Sequence, residues 1–287
     1  MAENNFSLQK TLTMLLDEKK YHSLRDILST MNPADIAAIF DDLDQACLPL
    51  LFRLLPKELA AETFVEMEPE AQELLIRGFS DSELKEVIDE LYVDDAVDIV
   101  EEMPANVVQR ILSQAEPDMR KQINEILRYP EDSAGSIMTT EYVSLRPNMT
   151  VEEAILRIRR TGIDKETIYT CYVTRGHKLI GLTSVKDLLL CEDDDATIES
   201  IMQEHVITVS TLDDKEQVAQ MFSKYNFLAL PVVDTEDRLV GIVTFDDAMD
   251  VMEDEATEDM EKMAAMLPSE HPYMRSTPIE IWKNRIP

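Results

Sequence analysis

The feature that most constrains this chain is an internal duplication. SIMTTEYVSLRPNMTVEEAI, starting at Ser136, returns as SIMQEHVITVSTLDDKEQVA from Ser200. KLIGLTSVKDLLL, starting at Lys178, returns as RLVGIVTFDDAMD from Arg238, so the offset is 60–64 residues. β-Branched, alternating runs at Tyr142–Leu145, Ile168–Val173 and Leu179–Thr183 predict strands. Each copy then reads strand, helix, strand, strand, helix. Gly181 and Gly241 are expected at turns within the strand pairs, where the missing side chain lets the backbone bend. Ser184 and Thr244 precede helices as N-caps, with Asp187 and Asp247 three positions on as capping-box partners.

The first part of the chain has another grammar. From Ser7 to about Tyr129 nearly everything reads as short helices, opened by Asn32-Pro33, Pro49, Pro56, Pro69, Ser80, Pro104 and Pro117. NPADIAAIFDDL, LPKELAAETFVEM, FSDSELKEVIDEL and YVDDAVDIVEEM resemble one another, with acidic starts in steps of roughly 12 or 24 residues. About ten short helices in a superhelix or irregular bundle are expected. Around Tyr129–Gly135, Pro130 and Gly135 break the helical run.

The last part is an acidic helix. DDAMDVMEDEATEDME spans Asp246–Glu261, and no Lys or Arg occurs between Arg238 and Lys262. Met249, Met252, Ala256, Met260, Met263 and Leu267 fall on one predicted stripe, and Asp247, Asp250, Asp254, Glu258 and Glu261 on the other side. Like charges four apart on a helix repel by a few tenths of a kcal/mol each. Stacked this densely they require bulk water or a cation, and Mg²⁺ is the cation this reading expects. Asp94, Asp95 and Asp98 repeat the spacing of Asp246, Asp247 and Asp250. An acidic helix start favoured by the macrodipole accounts for them equally well.

Composition narrows the function. Against 58 acidic residues stand 27 basic ones, a formal charge of −31, which excludes binding to nucleic acid or anionic lipid through a basic patch. The cysteines, Cys47, Cys171 and Cys191, are odd in number and far apart, as in a reducing compartment without a disulfide framework. MAENNFSLQK is no signal peptide, and no apolar run approaches a membrane span, so the chain alone reads as soluble. The end, SEHPYMRSTPIEIWKNRIP, loses its acidity and closes on Trp, Lys and Arg, residues frequent at membrane boundaries. His22, His177, His205 and His271 are scattered, and no zinc spacing, phosphate loop or nucleophile elbow occurs, so no enzyme is expected.

The copies resemble a tandem pair of CBS domains, whose G-h-h-[ST]-x-x-D signature occurs as GLTSVKD and GIVTFDD. The complete order, including E-A-T-E-D in the acidic helix, resembles the cytosolic half of MgtE-type magnesium transporters over essentially the whole chain. That resemblance implies an α plus α/β multidomain fold. Residues 1–130 would form an all-α superhelical domain, 131–192 and 193–249 the CBS pair, and 250–287 an acidic connecting or plug helix with its tail. It further implies a homodimer through the CBS domains, and a transmembrane pore domain that this chain lacks. The intact protein would then lie with this part on the cytoplasmic face of the cell membrane. The implied metal ligands are Asp94 and Asp98 facing Asp247 and Asp250, together with Glu216, Glu255, Glu258 and Asp259. Several weak Mg²⁺ sites are expected, because Mg²⁺ keeps most of its waters and takes one or two carboxylates. Asn226 stands where the family can carry an acidic ligand, so one site should be weaker.

Two other functions fit the same sequence. CBS pairs often bind adenosine nucleotides. Asp187 and Asp247 would then take the ribose hydroxyls of ATP or another adenosine nucleotide, with Tyr169 and Lys186 beside its base or phosphates and Arg175 and Lys178 as the other basic residues of that region. A passive dimerisation module would respond to neither ligand.

Overall fold

The computed structural model describes residues 2–41 and 43–263. The chain divides into two compact units, Met1–Asn124 and Glu125–Pro287.

The first unit is all helix. Its elements are α1 (Ala2–Asp17), α2 (Tyr21–Leu28), α3 (Pro33–Asp41), α4 (Leu48–Phe52), α5 (Lys57–Val65), α6 (Pro69–Gly78), α7 (Asp81–Ile88), α8 (Val93–Glu102), α9 (Ala105–Gln114) and α10 (Pro117–Ile126). The expected start signals fall where the helices start. Pro33, Pro69 and Pro117 occupy first positions, Pro56 and Pro104 immediately precede α5 and α9, and Ser80 closes a capping box with Glu83. Helices this short are marginal alone, and tertiary contacts hold them. Phe52, Phe64 and Phe79 pack ring to ring with centroids 5.4–6.5 Å apart. Buried Gln72 donates to the Phe64 carbonyl at 2.8 Å, satisfying a helix-end acceptor. Arg110 donates to the carbonyls of Ile76 and Phe79 at the end of α6.

The second unit contains two three-stranded sheets. Strands β1 (Tyr142–Leu145), β2 (Thr167–Arg175) and β3 (Lys178–Ser184) form one, with β1 parallel and β3 antiparallel to β2. Strands β4 (Val209–Ser210), β5 (Ala229–Val233) and β6 (Leu239–Thr244) repeat that order. The helices are α11 (Val151–Thr161), α12 (Val185–Leu190), the short α13 (Ile198–Ile201), α14 (Lys215–Tyr225) and α15 (Phe245–Met263). The predicted strand–helix–strand–strand–helix order holds in both copies.

The copies are interlocked. The segment before β1 crosses to the second sheet, where Thr139 and Ile242 exchange backbone hydrogen bonds of 2.8 and 2.9 Å. The segment before β4 crosses to the first, where Gln203 and Leu182 do the same at 2.8 and 3.0 Å. Ala134 and Met138 accordingly enter the core of the second copy, and Ile198 that of the first. This exchange corrects the expectation for the glycines. Gly181 and Gly241 lie inside β3 and β6, not in turns, each one residue from the crossing strand. A Cβ on Gly241 would sit 2.8 Å from the Thr139 carbonyl oxygen, and one on Gly181 2.9 Å from that of Gln203. Close backbone approach excludes a side chain there. A bend is also present, since the register shifts opposite each glycine, between Val173 and Thr174 and between Val232 and Val233.

Candidate metal and nucleotide sites

The acidic helix α15 leaves β6 through a cap. The Thr244 amide donates to Asp247 Oδ2 at 3.2 Å and its hydroxyl at 2.5 Å, while the same hydroxyl also touches Asp246. This exit sets which face of α15 turns inward. Ala248 and Val251 enter the core with Phe222 of α14. Met249, Met252, Met260 and Met263 are exposed, Ala256 with them, so the predicted methionine stripe is not the buried one. Leu267, the last residue of that stripe, and the side chain of Glu261 lie outside the described residues, as do His271 and the Trp- and Lys-containing tail.

Carboxylates flank that buried face, Asp247 and Glu255 half-buried and Asp254 exposed. Burial, then the neighbouring Asp246 and Asp250, push the Asp247 carboxyl up to about 6, against the pull of its Thr244 bonds. Glu255 is raised by desolvation, then by Glu216 from α14 and by Glu258, with Lys262 and Lys215 acting the other way. Asp254 is raised by desolvation and by Glu253, and lowered by Lys215. Six of the expected ligands, Glu216, Asp247, Asp250, Glu255, Glu258 and Asp259, thus belong to α14 and α15, two helices packed on each other. The Glu216 carboxylate of α14 opposes ionisation of Glu255 across the two helices, with Lys215 as resident counter-charge. Glu216 also accepts from Gln220 at 2.9 Å. Glu258 and Asp259 are exposed, and Glu258 is paired with Lys262 at 2.7 Å.

Asp94 and Asp98 sit on α8 in the first unit, Asp94 buried and Asp98 exposed, with Asp94 Oδ1 accepting from the Asp95 amide at 3.1 Å. Sequence reading overlooked a carboxylate pair in the second unit. Oxygens of Glu141 and Glu166 lie within 4.8 Å of each other, brought together by strand pairing and not by any local motif. Asn226, expected as a weakened ligand, also has a backbone role. It ends α14 in the left-handed conformation, with φ 55° and its amide bonded to the Phe222 carbonyl at 2.8 Å, a position that asparagine tolerates best after glycine.

The candidate nucleotide residues are placed by the β2–β3 pairing. Thr170 lies opposite Ser184, so Tyr169 and the Ser184–Asp187 capping box share one end of the hairpin. Tyr169, Lys186 and Asp187 are all exposed, and Asp187 Oδ2 accepts from the Ser184 hydroxyl at 2.6 Å. Arg175 and Lys178 do not belong there. They pair with each other at the opposite end, five strand positions away, or about 17 Å.

Comparison with known proteins agrees with this fold. The sequence pattern of the MgtE intracellular N domain matches residues 31–132, and that of the CBS domain matches residues 134–192 and 198–254. A crystal structure described as the cytosolic domain of the Mg²⁺ channel MgtE in complex with ATP superposes with a TM-score of 0.80 at 38% identity, covering 85% of this chain and 99% of that one. The chain belongs to the MgtE family. The soluble part of a magnesium transporter gives a TM-score of 0.79 at 33% identity, covering 89% of this chain and 100% of the other. The magnesium transporter MgtE of Thermus thermophilus is 38% identical over 97% of this chain and 63% of its own length. That of Bacillus subtilis is 32% identical over 88% and 56%. The chain thus spans about 63% and 56% of these two MgtE transporters. Among the described residues, no helix is long and apolar enough to cross a membrane.

Proposed function

We propose that this chain is the cytosolic Mg²⁺-sensing region of a magnesium transporter or channel, and that Mg²⁺ bridging its acidic faces closes the pore. The observation that carries this reading is the α14–α15 seam, where desolvation and neighbouring carboxylates raise Asp247, Asp254 and Glu255, with Lys215 opposing the rise at Asp254 and Glu255. Two carboxylates about 5 Å apart repel by about 3 kcal/mol at an effective dielectric of 20. A divalent cation between them turns that repulsion into attraction. In this account Asp94 and Asp98 of the helical unit meet Asp247 and Asp250 through Mg²⁺, Glu216 and Glu255 share an ion, and Glu258 and Asp259 respond near the pore. Each weak site contributes about 4 kcal/mol at millimolar affinity, so a sharp response requires several. Protease protection of the full chain should rise with Mg²⁺. Replacing Asp94, Asp98, Asp247 and Asp250 together by asparagine should abolish that rise, and an unchanged response in the variant would remove the proposal.

The exposed apolar residues support a homodimer. Leu189 on α12 and Met249 on α15 occupy duplicated positions, and both face solvent in one chain together with Leu190, as interface residues do before assembly. The ATP complex of the related cytosolic domain favours a second ligand. An adenosine nucleotide would stack on Tyr169 while Asp187 takes its ribose hydroxyls and Lys186 its phosphates. Asp187→Asn should then weaken ATP binding without altering the Mg²⁺ response.

A further inference from the structure

At the opposite end of the first sheet lies a cavity of about 590 Å³ lined by Ser144, Arg146, Arg157, Arg175, His177 and Glu199 among others. Its size is that of a small-ligand site. Three arginines line it in a chain of net charge −31. Arg175 is paired with Glu199 at 2.6 Å. Arg157 uses only its Nε, donating to the Ser144 carbonyl at 2.8 Å. Among the described residues its terminal nitrogens, and the whole guanidinium of Arg146, have no partner. One arginine is thus neutralised and two are not, which matches the near-dianionic charge of a phosphate group at neutral pH. Arginine's planar fork suits phosphate oxygens.

The fold itself does not require this arrangement. At the duplicated positions the second copy carries Ser210, Met221, Thr235 and Asp237 in place of Arg146, Arg157, Arg175 and His177. The correspondence is structural as well, since His177 and Asp237 both hold positive φ, 72° and 62°. Only the first copy converts the shared scaffold into a basic cavity. His177 stays in that conformation at the hairpin tip while its carbonyl accepts from the Leu239 amide at 3.0 Å, which fixes one wall against the second copy.

We infer that the cavity bounded by Arg146, Arg157 and Arg175 binds a phosphate-bearing anion, at a site separate from the Asp187 end of the sheet. The test is calorimetric titration of the full chain with sodium pyrophosphate, in Mg²⁺-free buffer at ionic strength fixed with NaCl. Binding in the range of about 0.1–1 mM is expected. Arg146→Gln and Arg157→Gln should each weaken it roughly tenfold, the cost of one charge-assisted bond, and Asp187→Asn should leave it unchanged. Circular dichroism establishes that each variant is folded. ADP in a parallel arm identifies the source of the phosphate. If the arginine variants weaken ADP as well, the ligand is a nucleotide's phosphate tail; if they weaken pyrophosphate alone, it is a free phosphate. No binding up to about 10 mM, or pyrophosphate binding that Asp187→Asn removes and the arginine variants leave intact, overturns the inference.

Discussion

Asp247→Asn should stabilise the protein at neutral pH, although it removes a residue expected to bind metal. A carboxyl that titrates near about 6 instead of 3.8 carries an ionisation cost of up to about 3 kcal/mol at pH 7. Asparagine removes the charge and keeps an oxygen to accept from the Thr244 amide and hydroxyl, so most of the helix cap survives. A gain of about 1–3 kcal/mol over the parent is expected at pH 7 without divalent cation. The pH dependence has a definite sign. Between about 4 and 6 the folded parent holds a proton that the unfolded chain has released, so acidification stabilises the parent relative to the variant. The advantage of Asp247→Asn therefore shrinks as pH falls through 6 and disappears near 4. Urea denaturation followed by far-UV circular dichroism, on both proteins across that range, measures the difference while cancelling the other carboxylates. Saturating Mg²⁺ at pH 7 should shrink the difference too, because only the parent has the carboxylate to bind it. A variant less stable than the parent by the same margin at every pH refutes the burial argument and leaves Asp247 as a cap alone.

Other consequences are independent of the metal. Gly241→Ala places a Cβ 2.8 Å from the Thr139 carbonyl oxygen and should cost about 1–3 kcal/mol by thermal denaturation, with retained stability disproving the close crossing. Glu83 is held down to about 2 by Arg53, 2.6 Å away, and then by the Ser80 amide. Its contribution is present above the usual carboxylate range and is lost as pH falls through about 2. Because both side chains are partly exposed, Glu83→Gln should cost only about 1 kcal/mol at pH 7, and essentially nothing below pH 2. Met249→Asp should shift a dimer towards monomer in analytical ultracentrifugation, whereas an unaltered sedimentation profile would place the interface elsewhere.

Much of this architecture was legible because its signals are local. Proline and serine starts located the helices of the first unit, and the GLTSVKD and GIVTFDD repeats located both sheet-to-helix transitions. What escaped is non-local. Nothing near Thr139 or Gln203 announces that each segment pairs with the other copy's strand, and so the glycines of that crossing passed for turn residues. The face of α15 was ambiguous for a different reason. Met249, Met252, Ala256 and Met260 satisfy helical spacing, but so do Ala248, Val251 and Glu255. The exit from β6 decides between them, and it buries the smaller residues beside carboxylates. The arginines of the basic cavity are far apart in sequence and share no motif; the strand and hairpin geometry alone collects them.

The most direct test of the account is small-angle scattering of the full chain titrated with MgCl₂ from zero to about 20 mM, a range set by millimolar sites. KCl at matched ionic strength serves as control, since screening alone relieves repulsion between exposed charges. The account predicts a decrease in radius of gyration that Mg²⁺ produces and KCl does not. An identical response to both salts, or none to either, would contradict it and leave the acidic helix as a solvated surface.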